Sequence, residues 1–335
     1  MNIHADFIEG CKKDAYEYYF EEYEKETTYF DKVAEEKSSD AAYESGTVLT
    51  GPGLLDEKPY GEDYLAIGLA EAFTWYCKMR EYGNLLPIEG STLEDVKRKA
   101  GDLIQKWSKM WAEAARNTKE TVVFNLINYG GYIHPGHVVF DQSIAGGVLD
   151  DPSGDGVYTG TAAATLPFIT LSGNEWTDPN GDTYYNGLSA SNPSPDNFKT
   201  AWQLLTRTNA KTESGAVAVI TPNVLLTANT TDALLWRQIL ESEKMAGTSL
   251  NDKNILQNLI ASIISCPWLN AAFAAAHAWA IMDAKKSIRI YHRIEPEFDF
   301  FEDKKSNTFY GRIRMRIGAN VINVKQTVGA NFPTS

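Results

Sequence analysis

From Ser91 onward the chain carries a pattern that few folds can accommodate. Ser91-Thr92-Leu93-Glu94, after Gly90, is a capping box, with serine and glutamate placed to satisfy each other's amides at a helix start. Leu93, Val96, Ala100, Leu103, Trp107, Met110, Trp111 and Ala114 then recur at three- and four-residue spacing, and the pattern continues less cleanly to about Ile127. The spacing predicts a helix over 91–127, up to ~35 residues and roughly 50 Å long, with a break near Asn117-Thr118. A single helix of that length outside a coiled coil spans a whole domain. The Trp and Met residues on its stripe read as core rather than as a cofactor box.

What precedes this helix cannot bury itself. From Met1 to Asp63 there are 17 acidic and 6 basic residues, and tyrosines are frequent. Tyr16, Tyr19, Phe20 and Tyr23 recur at helical spacing, predicting an amphipathic helix that docks its aromatic side on another surface. A solvated acidic face is the plainer alternative. Gly46, Gly51, Pro52, Gly53, Pro59 and Gly61 follow, flanked by Thr47-Val48-Leu49-Thr50 and Tyr64-Leu65-Ala66-Ile67. That is the pattern of a long two-stranded excursion, which is marginal in water without a surface to lie on.

Beyond the long helix, residues 128–195 are punctuated by turn pairs such as Gly130-Gly131, Pro135-Gly136 and Asn192-Pro193. A helix is expected from Pro195 to about Arg207, then apolar runs at Ala216–Thr221 and Val224–Ala228, then a helix over Thr231–Ser242. This alternation marks a compact α/β or α+β unit over 215–282. In the last 50 residues or so, Ile288 and Ile290 alternate with Arg289 and Tyr291, and Ile313, Met315 and Ile317 with Arg312, Arg314 and Arg316. Period two with one cationic face predicts sheet strands.

Charge and cysteine content exclude several classes. A net formal charge of −13 argues against a dedicated nucleic-acid binder and a polybasic membrane-surface protein. Cys11, Cys77 and Cys266 lie too far apart for a metal or redox motif, and an odd count does not suit a disulfide framework. The N-terminus has no apolar h-region. The most apolar stretch, Ile255 to Met282, holds Gln257, Asn258, Pro267, Asn270 and His277 and does not read as a membrane span.

Chemistry-bearing motifs are fragmentary. Gly154 to Gly160 is a near miss to a dinucleotide loop, one residue too long and without a preceding strand. His134-Pro135-Gly136-His137 lacks the further ligands a zinc site needs. Asp150, Asp151 and Asp155, and separately Asp178, Asn180 and Asp182, resemble calcium-loop fragments without the closing glutamate, leaving at most a weak cation site. Glu295, Glu297 and Asp299 alternate along a strand and read as a solvent-facing row rather than an acid–base pair. No catalytic residue, cofactor or metal is expected.

The order of the pieces is acidic arm, glycine-tipped hairpin, long capped helix, compact α/β unit and closing sheet. In that order the chain resembles the major capsid proteins of tailed bacteriophages, the α+β Hong Kong 97 fold that encapsulins share. Three stretches carry the resemblance: Phe73–Gly131, Asn197–Ser242, which is similar to the Mu-like major head group, and Ala278–Ala330. The resemblance implies an N-terminal arm over 1–40, an extended loop over 41–80, and a peripheral domain over 81–195 containing the spine helix. It further implies an axial domain over 196–282 and closing peripheral strands over 283–335. The implied partners are further copies of the chain in hexamers and pentamers, a separate scaffolding protein, a portal, a possible decoration protein and non-specifically contacted double-stranded DNA. The implied location is the virion, assembled in the host bacterial cytoplasm. Contacts between subunits are expected at Tyr16, Tyr19 and Tyr23 of the arm, Lys58 of the loop, and Arg312, Arg314 and Arg316, the acidic arm pairing with a neighbour's basic strands. No glutamate is assignable to support a crosslink from Lys58 to Asn320 or Asn323, so none is expected. An encapsulin-like shell is the alternative within the fold. A soluble enzyme with an unrecognised site in 130–282 is the alternative from another class, and a tail or baseplate protein a third.

Overall fold

The computed structural model describes residues 3–24, 27–49, 71–89, 100–128, 168–169, 171–172, 175–177, 182–212, 215–244, 253–269, 277–303 and 308–332. The helices are α1 (Ile3–Tyr23), α2 (Phe30–Val33), α3 (Ala100–Asn128), α4 (Pro195–Gln203) and α5 (Thr230–Glu241). The strands are β1 (Ala34–Ser38), β2 (Tyr43–Leu49), β3 (Glu71–Lys78), β4 (Arg80–Glu89), β5 (Trp176–Thr177), β6 (Thr183–Tyr184) and β7 (Gly187–Leu188). They continue with β8 (Val224–Thr227), β9 (Ser262–Ser265), β10 (Trp279–Met282), β11 (Ile288–Asp303), β12 (Thr308–Val321) and β13 (Thr327–Ala330).

The long helix is present as α3, 29 residues in the described part. Its capping box at 91–94 lies outside the described residues. The stripe that is buried runs through Trp111, Ala112, Ala115, Val123, Phe124 and Ile127, while Met110 points outward at 64% exposure. The expected break at Asn117-Thr118 does not occur. Thr118 Oγ1 donates to Ala114 O and Thr121 Oγ1 to Asn117 O, both at 2.7 Å, so the hydroxyls fold back onto their own helix instead of opening it.

Two sheets carry the rest. The first has the order β1-β11-β12-β4, with β1 parallel to β11 and the other neighbours antiparallel. Its inner face, including Ile288, Ile290, Phe298, Phe300, Ile313, Met315 and Ile317, packs with α1 and α3 in one core. The second has the order β7-β13-β10-β8-β9. The parallel pair β8 and β9 is joined through α5, a βαβ unit. Strand β10 alternates between two cores: Ala280 and Met282 join the first, Trp279 and Ile281 the second, which also holds Phe198 of α4 and Trp236 of α5. Helix α4 starts where Ser194 accepts from the Asn197 amide at 3.2 Å, with Pro195 in its first turn. The run Ala216–Thr221 forms no strand. Val217 and Val219 are 84% and 85% exposed; Val217 makes only an isolated bridge with Lys211, and Ile220 alone of the run's large apolar residues enters the second core.

The excursion is present in its described part. β2 pairs antiparallel with β3, from Tyr43↔Lys78 to Leu49↔Glu71, so the aromatic-rich 71–78 segment returns along 43–49. Tyr64–Ile67 lies outside the described residues. The base of this ribbon crosses β12 at Gly318. A Cβ there would meet Lys78 O at 2.7 Å, Cys77 Sγ at 2.9 Å and Met79 Sδ at 3.1 Å. Only glycine lets the two backbones approach so closely. Gly318→Val is therefore expected to lower unfolding stability by ~1–3 kcal/mol or more, read from urea denaturation. A variant as stable as the parent would mean that the ribbon yields freely at its base.

Candidate functional site

The surfaces expected to meet other subunits are the arm, the excursion and the outer face of the first sheet. The structure places the arm tyrosines within this chain. Ala15 and Tyr19 are buried, and the Tyr16 and Tyr19 rings stand edge-on to Phe298 of β11 at 4.9 and 5.0 Å between centroids. Trp111 of α3 completes the cluster, 5.5 Å from the same phenylalanine. Tyr23 stacks on Tyr19 at 5.5 Å, and Lys119 Nζ lies 5.4 Å from the Tyr23 ring centre. Burial pushes the phenols of Tyr19 and Tyr23 upward. Tyr19 is thus spent within its own subunit, while Tyr16 and Tyr23 remain partly exposed. The surface they cover is α3 and β11 of their own subunit, which offers an apolar face within reach of the helix. Phe20, on the other side of α1, remains 53% exposed.

The arginine row is also engaged within the subunit. Arg314 Nε donates to Glu297 Oε2 at 2.8 Å, and Arg312 Nη2 to Asp299 Oδ2 at 3.0 Å. These are directly opposed residues of β11 and β12. Arg316 Nε donates to Met79 O at 3.3 Å, holding the start of β4 under the ribbon. Arg289 pairs with Glu35 across β1 and β11 at 2.6 Å. The cationic face read from period two is therefore a mixed ladder, because the strand opposite supplies carboxylates in register. Phe301 and Tyr310 continue the same row as a stacked pair 5.3 Å apart. Glu295 leaves the row: register shifts between His292 and Glu297 turn it toward Lys119 Nζ of α3, at 3.2 Å. Lys58 lies outside the described residues.

A second polar cluster was not read from the sequence. Glu120, 1% exposed, accepts the Tyr29 amide at 2.7 Å on Oε1 and the Phe30 amide at 3.0 Å on Oε2. Burial outweighs these two bonds and pushes its carboxyl up to about 7. Nearby, His292 stands 3.1 Å from Glu36 Oε2 and 3.5 Å from Glu295 Oε1. The His292 contact holds Glu36 below the usual carboxylate range. The signal was present in the sequence: Arg116, Lys119 and Glu120 interrupt the apolar stripe where its pattern becomes less clean.

Among the described residues no group of three His, Cys, Asp or Glu side chains is placed to hold a metal ion. His134, His137, Asp150, Asp151, Asp155, Asp178, Asn180 and the Gly154–Gly160 turn lie outside the described residues. Asp182 pairs with Lys211 at 3.1 Å. In the 130–282 region, His277 Nδ1 meets the buried Asp232 carboxylate at 2.9 Å, an imidazole–carboxylate pair near the start of α5 with no nucleophile bonded to it among the described residues. A cleft of 330 Å³ between α3 and the β4–β12 edge is lined by Tyr82, Asn84, Trp111, Thr118, Ile313 and Met315, without a nucleophile–base pair. No described helix is long and apolar enough to cross a membrane.

The family model for phage capsid protein matches residues 90–328. Among solved structures, the capsid of the cyanophage P-SCSP1u aligns with a TM-score of 0.52 at 7% identity, over 92% of this chain and 89% of that one. The mature capsid of bacteriophage PhiM1 aligns with a TM-score of 0.51 at 6% identity, over 91% and 87%. An encapsulin of Synechococcus elongatus aligns with a TM-score of 0.46 at 7% identity, over 89% and 84%. No curated protein sequence matches the chain.

If α1 is part of the subunit's own core, Tyr19→Ala lowers the stability of the unassembled chain by ~3–5 kcal/mol, as a large buried ring does on truncation. Tyr19→Phe behaves oppositely, because the hydroxyl is buried without a hydrogen-bond partner among the described residues. Its removal is neutral or stabilising by up to ~1–3 kcal/mol. Thermal unfolding of both variants checks this, and an Ala variant as stable as the parent would move Tyr19 back to an interface.

Proposed function

The chain belongs to the phage capsid protein family, and from that premise we propose that it is the major head subunit, closing as hexamers and pentamers into an icosahedral shell around double-stranded DNA. It is a capsid shell protein with an α+β, Hong Kong 97-type fold, and a component of the virion. The observation that carries this is the family match across residues 90–328, which takes in α3, α4, α5, strands β7 to β10 of the second sheet and β11 and β12 of the first. In this reading β8, β9 and β10 with α4 and α5 form the core of the axial domain over 196–282, and β7 and β13, from the flanking segments, extend its sheet. Residues 81–195 and 283–335 make the peripheral domain around α3, 1–40 the arm and 41–80 the extended loop.

The ribbon supports the same reading. β2 and β3 form a two-stranded sheet apart from the two larger ones, and such a ribbon gains stability by lying on another surface. In a shell that surface is supplied by a neighbouring subunit, so assembly and ordering are coupled. Lys58 in the extended loop and the half-exposed Arg312 and Arg314 are the residues we assign to such neighbours. A separate scaffolding protein, a portal and a decoration protein complete the proposed assembly, which takes place in the bacterial cytoplasm. The chain's net charge of −13 suits a wall that holds DNA without gluing to its phosphates.

The test is the particle mass of the purified chain by light scattering, with electron microscopy of the same sample. Closed shells, or capsomers of five and six subunits, are expected, with nucleic acid inside shells formed in infected cells. Shells carrying a protein cargo instead would make it an encapsulin-type compartment. A small oligomer that resists assembly with a scaffold added would overturn the shell reading. Arg312→Gln with Arg314→Gln is expected to lower the salt concentration at which shells dissociate. Unchanged salt stability would leave the ladder serving its own sheet alone.

A further inference from the structure

The layer built on the second sheet carries exposed apolar side chains at both of its ends. Met110 aside, the described large apolar side chains exposed by 60% or more all belong to it: Val217 at 84%, Val219 at 85%, Ile255 at 72% and Leu234 at 60%. Apolar residues scattered singly over a surface are ordinary, but these fall into two groups.

One group lies at the end where β8 begins. The run 216–221 leads into β8, and the Thr221 amide donates to Asp283 Oδ2, just beyond β10, at 3.3 Å. Ile220 enters the second core while Val217 and Val219 point away from it. The backbone that presents them is braced. Val217 bridges Lys211, the Thr212 amide donates to Ala216 O at 2.7 Å, and the Ala218 amide to Ala210 O at 2.9 Å. The return from α5 to β9 reaches the same end, where the Ala261 amide donates to Asn223 O at 3.1 Å, and Ile255 lies on that return.

The other group lies at the end where β8 finishes. There Asn229 starts α5 by accepting the Thr231 amide at 2.9 Å. Ala233, Trp236, Ile239 and Leu240 are the buried side of this helix, and Asp232 is held by His277 at 2.9 Å. Leu234 and Leu235, in the second turn, face outward at 60% and 41% exposure. The four residues of β8 separate the two ends by ~13 Å.

The chemistry of the two groups is the same. From Gly215 to Thr231 the sequence holds no ionisable side chain, so Val217, Val219 and the first turn of α5 belong to one uncharged stretch. Neither group offers a phosphate or a charged peptide anything to pair with, and each offers the other the apolar surface it lacks. A contact between two copies related by a two-fold axis uses one patch twice. Two unlike patches at opposite ends of one layer suit a head-to-tail contact, which closes into a ring when the rotation allows.

We propose that the two groups are the halves of one such contact, Val217 and Val219 of one copy seating on Leu234 and Leu235 of the next. The proposal rests on the capsid reading, which supplies the rings of five and six, and adds to it the faces that meet. Because the contact is uncharged, salt does not screen it, unlike the arginine ladder.

The test places Val217→Cys and Leu234→Cys singly in two Cys11→Ser chains, Cys77 and Cys266 being buried. Capsomers assembled from an equal mixture are treated with a short bis-maleimide and run on a denaturing gel. Covalent dimers are expected from the mixture at roughly tenfold or more the yield from either chain assembled alone. A chain carrying both cysteines is expected to give a ladder that stops at rings of five and six. Dimers formed equally well by either chain alone, or capsomers without covalent bands, overturn the contact. Val217→Asp with Val219→Asp supplies a second readout. It is expected to raise the chain concentration at half-assembly by roughly tenfold or more. The unfolding temperature of the unassembled chain stays where it was, because both side chains already stand in water. An unmoved assembly concentration overturns the contact. Capsomers that form without the cross-link leave the capsid reading standing, whereas a chain that never associates overturns both.

Discussion

The structure depends on a strand that has no outside. β10 is four residues long, and Trp279, Ala280, Ile281 and Met282 are each fully buried. Odd positions enter the core under α4 and α5, and even positions enter the core under α3. A strand in that position cannot be half made, because removing either layer exposes the alternate side chains at once. Its partners β8 and β13 share the condition, with Leu225 and Val328 facing one way and Val224 and Leu226 the other. The second sheet is thus a partition held from both sides, and it makes the two layers one cooperative structure.

Period and spacing made much of this legible. The alternation of Ile313, Met315 and Ile317 with three arginines gave a strand with the correct buried face, and the Trp111 stripe gave the long helix. What a pattern cannot supply is the identity of the opposing surface. The tyrosines of α1 announced a docking side but not that its counterpart lay on Phe298, more than 270 residues later. The arginines announced a cationic row because the opposing Glu297 and Asp299 belong to another strand, and only register brings them together. Ala216–Thr221 looked like a strand because β-prone residues report willingness, and a strand also requires a partner to pair with. Lys119 and Glu120 looked like noise in the stripe, although charge inside an apolar pattern is itself informative.

Charge is handled by containment. The chain is strongly acidic, yet the outer face of the first sheet neutralises its own arginines strand by strand, and Arg116, Lys119, Glu120 and His292 are buried together where the arm meets the helix and sheet. Surface pairs of this kind contribute modestly to stability, so the ladder acts more on register than on strength. The buried groups have the larger consequence, because their ionisation is opposed by lost hydration rather than screened by solvent.

The crossing at Gly318 gives the ribbon a fulcrum. β2 and β3 have one end beside this point and are seven and eight residues long. At about 3.4 Å per residue the far ends of the pair stand some ~25 Å from the crossing. A tilt of ~10° at the base would carry those ends through ~4 Å over that length. A small change in how Met79, Arg316 and Gly318 seat against one another is magnified along the ribbon into a displacement comparable to a side chain. The body of the subunit can therefore stay fixed while the reach of the ribbon is adjusted.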